Sequence, residues 1–251
     1  MIDLATRGHV AVLTMTHGKA NAMDVALCEA FIARLEEVRA SPARAVVLTG
    51  QGRIFSAGVD LVRALDGGPD YFRRFLPPLR RMFETLFFYP KPIVAAVNGH
   101  ATAGGCVLAC AADRALMAHD SGRIGITELL VGVPFPVIAL EIMRFAAAPD
   151  RFESMVFSGA TFAPDAAVGL GLIDEVVPVD ALIDRAVAAA ETLGALSAEA
   201  FALTKRQTRQ PVRERLDQDG PLFDAAVDAV WYAPETAARI RDYVSRTFKK
   251  M

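Results

Sequence analysis

Three short runs in the chain place glycine and other small residues just beyond apolar, strand-like segments. They are Phe55-Ser56-Ala57-Gly58-Val59-Asp60, Asn98-Gly99-His100-Ala101-Thr102-Ala103-Gly104-Gly105-Cys106 and Ile124-Gly125-Ile126-Thr127-Glu128. At such places the backbone can turn its N–H groups toward a ligand, because small side chains leave it room to approach. The third run ends in a carboxylate with apolar neighbours on both sides, a setting that perturbs proton affinity and suits acid–base work. Taken singly, each run also reads as an ordinary connector.

Other chemistries lack their residues. Gly50-Gln51-Gly52 follows a strand-like segment as a dinucleotide fingerprint does, but Phe55 stands where the third glycine belongs. There is no Gly-x-x-x-x-Gly-Lys-Ser/Thr run, and neither Ser56 nor Ser158 lies in a Gly-x-Ser-x-Gly elbow. Cys106 and Cys110 have no companion histidines at zinc spacing, so no metal is expected.

The elements that must carry these runs alternate between short apolar strands and helical periodicity. Strands are predicted at 10–15, 45–49, 93–97, 114–118, 123–125 and 173–177. Asp24 is placed to cap a helix reaching Arg39, with Leu27, Phe31, Leu35 and Val38 on one face. A second helix is predicted over 70–88, ended by Pro90 and Pro92. After Val179 the pattern is helical over 180–193, 197–209, 212–231 and 234–248, with Pro211 and Pro234 as punctuation. The expectation is an α/β core over 1–195 and a helical region over 196–251.

Of the 251 residues, 53% are hydrophobic and 22% charged, enough apolar material for a substantial core. The net charge of -2 gives no electrostatic reason to expect nucleic acid or an anionic membrane as partner. The N-terminal segment lacks the pattern of a signal peptide, and the most apolar stretch, 129–140, is short and carries Pro134 and Pro136. Cys28, Cys106 and Cys110 lie among apolar neighbours and read as buried free thiols of a reducing compartment. The expected location is cytoplasmic.

Together, in this order and spacing, the three runs resemble the crotonase superfamily, also called the enoyl-CoA hydratase/isomerase family. Lys19-Ala20-Asn21-Ala22-Met23, Pro92-Ile93-Val94-Ala95-Ala96-Val97-Asn98-Gly99, Phe157-Ser158-Gly159 and Gly169-Leu170-Gly171-Leu172-Ile173-Asp174-Glu175-Val176-Val177 extend the likeness over nearly the whole chain. The resemblance implies a spiral of ββα turns with C-terminal helices used for trimerisation, and a homotrimer or hexamer acting on acyl-CoA thioesters. Coenzyme A would be part of the substrate, with no separate cofactor.

By position, the resemblance assigns the N–H groups of Val59 and Gly104 to an oxyanion hole. Ala57, Gly58 and Gly105 leave room for the thioester. The Asn21-Ala22-Met23 backbone and Ala57 match segments that hold adenine in relatives, and Lys19 with Lys249 or Lys250 are candidates for the phosphates. Asp60 and Asp113 are expected to cap or brace the backbone, and His100 to be a satisfied loop histidine.

The carboxylates select the reaction. Hydratases of this family flank a water with two glutamates; Glu128 matches the second, and the first position is Val107. Valine can neither orient water nor exchange a proton. An isomerase needs one base, and Ala103 together with Val131-Gly132-Val133-Pro134-Phe135-Pro136 looks more like the family's Δ3,Δ2-enoyl-CoA isomerases. Isomerisation of 3-enoyl-CoA to 2-enoyl-CoA, with Glu128 as acid and base, is therefore the first expectation. Hydration is the second, and a non-catalytic acyl-CoA binder is the alternative outside enzymology. Glu141 is a substitute base in principle and an exposed helical acid by expectation. Leu222, Phe223, Val227 and Val230 are expected to meet neighbouring subunits.

Overall fold

The computed structural model describes residues 1–119 and 122–247. β1 (Ile2–Arg7) and β2 (Val10–Met15) pair as an antiparallel hairpin that turns at Gly8, where φ is +58°. Asp24 caps α1 (Val25–Ala40) by accepting from Leu27 N at 2.7 Å, and the expected face of Leu27, Phe31, Leu35 and Val38 is buried. Three ββα turns follow. They are β3 (Ala45–Gly50), β4 (Ile54–Ser56) and α2 (Leu61–Phe87); β5 (Ile93–Val97), β6 (His100–Thr102) and α3 (Gly104–Cys110); and β7 (Arg114–Ala118), β8 (Ile124–Gly125) and α4 (Glu128–Val131). The remaining elements are α5 (Val137–Ala146), α6 (Phe152–Ser158), β9 (Thr161–Phe162), α7 (Pro164–Gly169), β10 (Glu175–Val177), α8 (Leu182–Gly194), α9 (Ala198–Tyr232) and α10 (Pro234–Thr247).

Each turn sends its first strand to one sheet and its second to another. The larger sheet runs β1-β2-β3-β5-β7-β10 and is parallel from β2 onward; the smaller runs β4-β6-β8-β9 and is parallel through β8. This is the crotonase-like spiral of ββα turns, a mixed α/β fold. β3 and β5 are buried along their whole length, as a parallel sheet covered on both faces requires. Alternate residues serve two cores: Val46 and Leu48 face the main core, while Ala45 and Val47 meet Ala186, Ala189 and Ala190 of α8.

Several expectations needed correction. β1 is a strand that the sequence reading passed over; only its Ile2 is buried, so it carries little apolar signal. A short helix from Leu61, capped by Asp60, precedes the expected one; Gly68 between them is non-helical (φ +60°, ψ -157°), so the helix expected over 70–88 does start after Gly67-Gly68, within α2. α9 runs unbroken through Pro211 and Pro221. A proline inside a helix costs about 3 kcal/mol, and burial of α9 against α2 and α5 offsets it. Val227 is buried in the molecule's own core, while Leu222, Phe223 and Val230 are exposed. Glu141 is buried, not exposed, and its two oxygens bind Arg144 and Arg215.

Polar anchors fix the C-terminal helices to the core. Asp113 accepts Lys205 Nζ at 2.7 Å and Arg209 Nη2 at 2.9 Å, and also binds Ile93 N at 2.8 Å, the bracing role expected of it. Arg80 pairs with Asp224 and Asp228. Cys28, Cys106 and Cys110 are free and buried. Among the described residues no single helix is long and apolar enough to cross a membrane.

Candidate active site

β4 and β6 are parallel neighbours, so the loops leaving their C-terminal ends lie side by side. Contact between those loops is close enough to demand glycine. A Cβ on Gly105 would fall 2.1 Å from Ser56 O, and one on Gly58 (φ +80°) would lie 2.9 Å from Thr102 O. Ala103 adopts φ +52°, ψ -127°, a conformation strained for an L-residue by about 1–3 kcal/mol. Its N–H donates to Gly125 O at 2.8 Å and its carbonyl accepts from Cys106 N and Val107 N. These bonds hold the turn that opens α3 at Gly104.

Along the 57–60 loop, Ala57 N donates to Ala20 O, Gly58 N to Ser56 Oγ and Asp60 N to Met23 O. Val59 N–H, in the middle, has no acceptor among the described residues, and neither does Gly104 N–H at the open end of its helix. Both residues line one cavity of about 500 Å³. Two backbone donors left free beside each other are what a developing oxyanion needs.

Glu128 opens α4 directly after β8 and lines the same cavity. Part of the residue is accessible, yet its Oε2 is buried with no hydrogen-bond partner among the described residues. Burial pushes its carboxyl up to about 7, and the N–H groups of Glu128 and Thr127 only partly counter this. Around it the wall is apolar: Leu79, Phe83, Val107, Val133, Ala139 and Trp231. Val107, which the sequence resemblance sets at the position of a hydratase's first glutamate, is fully buried there.

Ala22, Ala57 and Asp60 line the cavity as well. Asn21 and Met23 are braces: the Asn21 amide donates to Ile54 O and Phe55 O, its carbonyl accepts from Ser56 Oγ, and Met23 N donates to Gly58 O. Asp60 caps α2 by accepting from Arg63 N at 2.9 Å. Lys19 is exposed and outside the cavity lining. Lys249 and Lys250 lie outside the described residues. His100 is satisfied as expected, its Nδ1 accepting from Arg123 N at 3.2 Å. Glu141 is not in the lining.

The sequence reading missed Phe83, Trp231 and Tyr243 as cavity residues. Helical periodicity marks a buried face, and nothing in it separates a face that meets core from one that meets a cavity.

The chain matches the family model for enoyl-CoA hydratase/isomerase over residues 5–227. It belongs to that family. A putative enoyl-CoA hydratase of Thermus thermophilus is 33% identical over 204 residues, covering 79% of this chain and 80% of that protein. The mitochondrial enoyl-CoA delta isomerase 1 of Rattus norvegicus is 27% identical over 219 residues, covering 86% and 76%. Human mitochondrial Δ3-Δ2-enoyl-CoA isomerase shares the fold with a TM-score of 0.93 over 99% of this chain and 98% of that one, at 22% identity. Within the enoyl-CoA hydratase/isomerase family, the names of relatives thus divide between the two reactions, and the residues of this cavity are what can distinguish them.

Proposed function

We propose that this chain is an enoyl-CoA isomerase that moves the double bond of a 3-enoyl-CoA to the 2-position. The observation that carries the reading is Glu128, whose Oε2 is unpartnered among the described residues, beside apolar lining in which Val107 stands in place of a second acid; the other carboxylate of the lining, Asp60, is engaged in capping α2. Glu128 takes the proton from C2, and the C2–H electrons become the C1–C2 π bond of a dienolate. Val59 and Gly104 N–H hold the resulting oxyanion, each donor being worth on the order of 3 kcal/mol. Glu128 then returns the proton to C4, leaving the double bond between C2 and C3. A carboxyl near 7 suits both halves, because it accepts and releases its proton with little driving force either way.

In this reading the thioester passes Gly58 and Gly105, and the CoA arm leaves past Ala22, Ala57 and Asp60, with Lys19 and Lys249 available to phosphates. Exposed Leu222, Phe223 and Val230 offer apolar surface to neighbouring copies in a homotrimer or hexamer, and three buried free thiols suit a reducing, cytoplasmic compartment. Hydration is disfavoured because one carboxylate must both orient and deprotonate the water. The test is to offer purified protein 3-hexenoyl-CoA and crotonyl-CoA and to follow conjugation and hydration separately. Isomerisation is expected to dominate; faster hydration overturns the assignment. Binding of acyl-CoA with neither reaction, and no exchange of C2 protons into deuterated solvent, selects the non-catalytic binder.

A further inference from the structure

Building on the acyl-CoA reading, we propose that Trp231 is the stop that limits how long an unbranched hydrocarbon acyl chain the cavity accepts. The lining is of two kinds: Ala57 and His100 are exposed, whereas Leu79, Phe83, Val107, Ala139 and Trp231 are each at most 3% accessible. A thioester held at Val59 and Gly104, with its CoA arm leaving by the exposed end, sends its tail toward the buried one. These wall residues carry no charge, and the ionisable group beside them, Glu128, is itself a carboxyl, so a tail ending in a carboxylate would lose its hydration there without a cationic partner, and a hydrocarbon tail would not.

Trp231 closes this end as a fixed surface. Its indole Nε1–H donates to Pro134 O at 3.0 Å, and its ring packs on Phe72 of α2 with centroids 5.1 Å apart. Turning the ring aside would break its one polar bond and open a void against α2. The backbone beneath it is pinned too, because Ala233 N and Thr236 Oγ1 both donate to Val230 O where α9 meets α10.

Trp231 is the only tryptophan in the chain, so its own emission reports whether a tail has arrived. The experiment titrates the full-length protein with CoA and with saturated acyl-CoAs from acetyl to palmitoyl, following calorimetry and tryptophan emission together. Affinity is expected to rise roughly fourfold per added methylene until the tail meets Trp231, then to stop rising. Emission is expected to change only for chains at or near that limit. Trp231→Leu, checked by circular dichroism, should bind the first excluded chain roughly fifteenfold more tightly, the gain expected from newly burying about two methylenes. Emission unaltered by every chain that calorimetry shows to bind, or affinity still climbing at palmitoyl, overturns the proposal. If the Leu variant does not fold, the wild-type emission series decides alone. Saturated chains cannot isomerise, so failure of the isomerase assignment leaves these outcomes untouched. Absence of any calorimetric binding overturns the acyl-CoA reading itself and this inference with it.

Discussion

Gly58 stands so close to the turn at Gly104 that a Cβ on it would lie 3.1 Å from the Gly104 nitrogen and 2.8 Å from Ala103 Cβ. The two free donors of the site are therefore spaced by direct contact between their loops. Gly58→Ala should lower kcat/KM by about 10²-fold, the effect of displacing one oxyanion donor, while the fold survives. Gly52→Ala is the control: it also has positive φ (+72°) but nothing within 4 Å of the added Cβ, so it tests backbone strain without the clash. Equal losses in the two variants would show that strain alone, rather than the spacing of the donors, is responsible.

Glu128→Gln should cut isomerisation by at least ~10²-fold, since the amide keeps the shape and loses the proton acceptor. The same variant has a stability signature. The carboxyl is raised from 4.5 to about 7 on folding, so the folded state binds its proton more tightly than the unfolded chain does. That contribution is whole below pH 4.5, shrinks as pH rises, and is gone above about 7. At roughly 1.4 kcal/mol per unit it amounts to at most roughly 3 kcal/mol. The glutamine variant escapes the loss and should be the more stable protein at high pH. Urea unfolding of both proteins at acid and at alkaline pH checks this, and parallel pH trends would show that Glu128 is not held in its protonated form by burial. In wild type, kcat/KM should rise with pH through about 7 as the base ionises.

Val107→Glu should introduce measurable hydration of crotonyl-CoA where wild type has little. Val107 lines the cavity with Glu128 and is fully buried, so the new carboxylate arrives in an apolar wall and its own proton affinity rises. The gain should therefore be modest and grow with pH. Hydration by the wild-type protein at the variant's rate would remove Val107 as the discriminating residue.

Asp113→Ala should destabilise the fold by about 3–5 kcal/mol, because it leaves Lys205 and Arg209 as buried cations without their counter-charge. Burial already draws the Lys205 ammonium down to about 8, and Asp113 opposes that shift. Urea midpoints measure the loss; a change below about 1 kcal/mol would mean that both cations reach solvent once released.

Legibility in the sequence followed how local the determining physics was. Residues 114–118 and 93–97 were predicted as strands at their observed bounds, because each is a short apolar run closed by turn residues. Asp24 was legible as a cap for the same reason. Pro211 misled, since a helix tolerates it only when tertiary packing of α9 offsets the lost bond. Glu141 misled because its neutralising partner Arg215 comes from a distant helix. The glycines of the site were legible by type, but their purpose at Gly58 and Gly105 is a contact between two loops more than 40 residues apart, visible only once β4 and β6 pair. Trp231 reached the cavity from still further along the chain.

The proposed oxyanion donors and the proposed base all follow strands of the small sheet, Val59 after β4, Gly104 after β6 and Glu128 after β8. These three strands are consecutive parallel neighbours, so a tilt of the small sheet carries all three groups together. Glu128 heads α4, a single turn that packs against α10, with the Arg239 side chain seated over Gly132. α10 also packs on α2, whose first residues follow Val59, so a shift of α10 reaches the loop of one donor as well as Glu128. In the proposed reaction, base and hole thus share two mechanical references, the small sheet beneath them and α10 beside them, and a disturbance of either is felt at both.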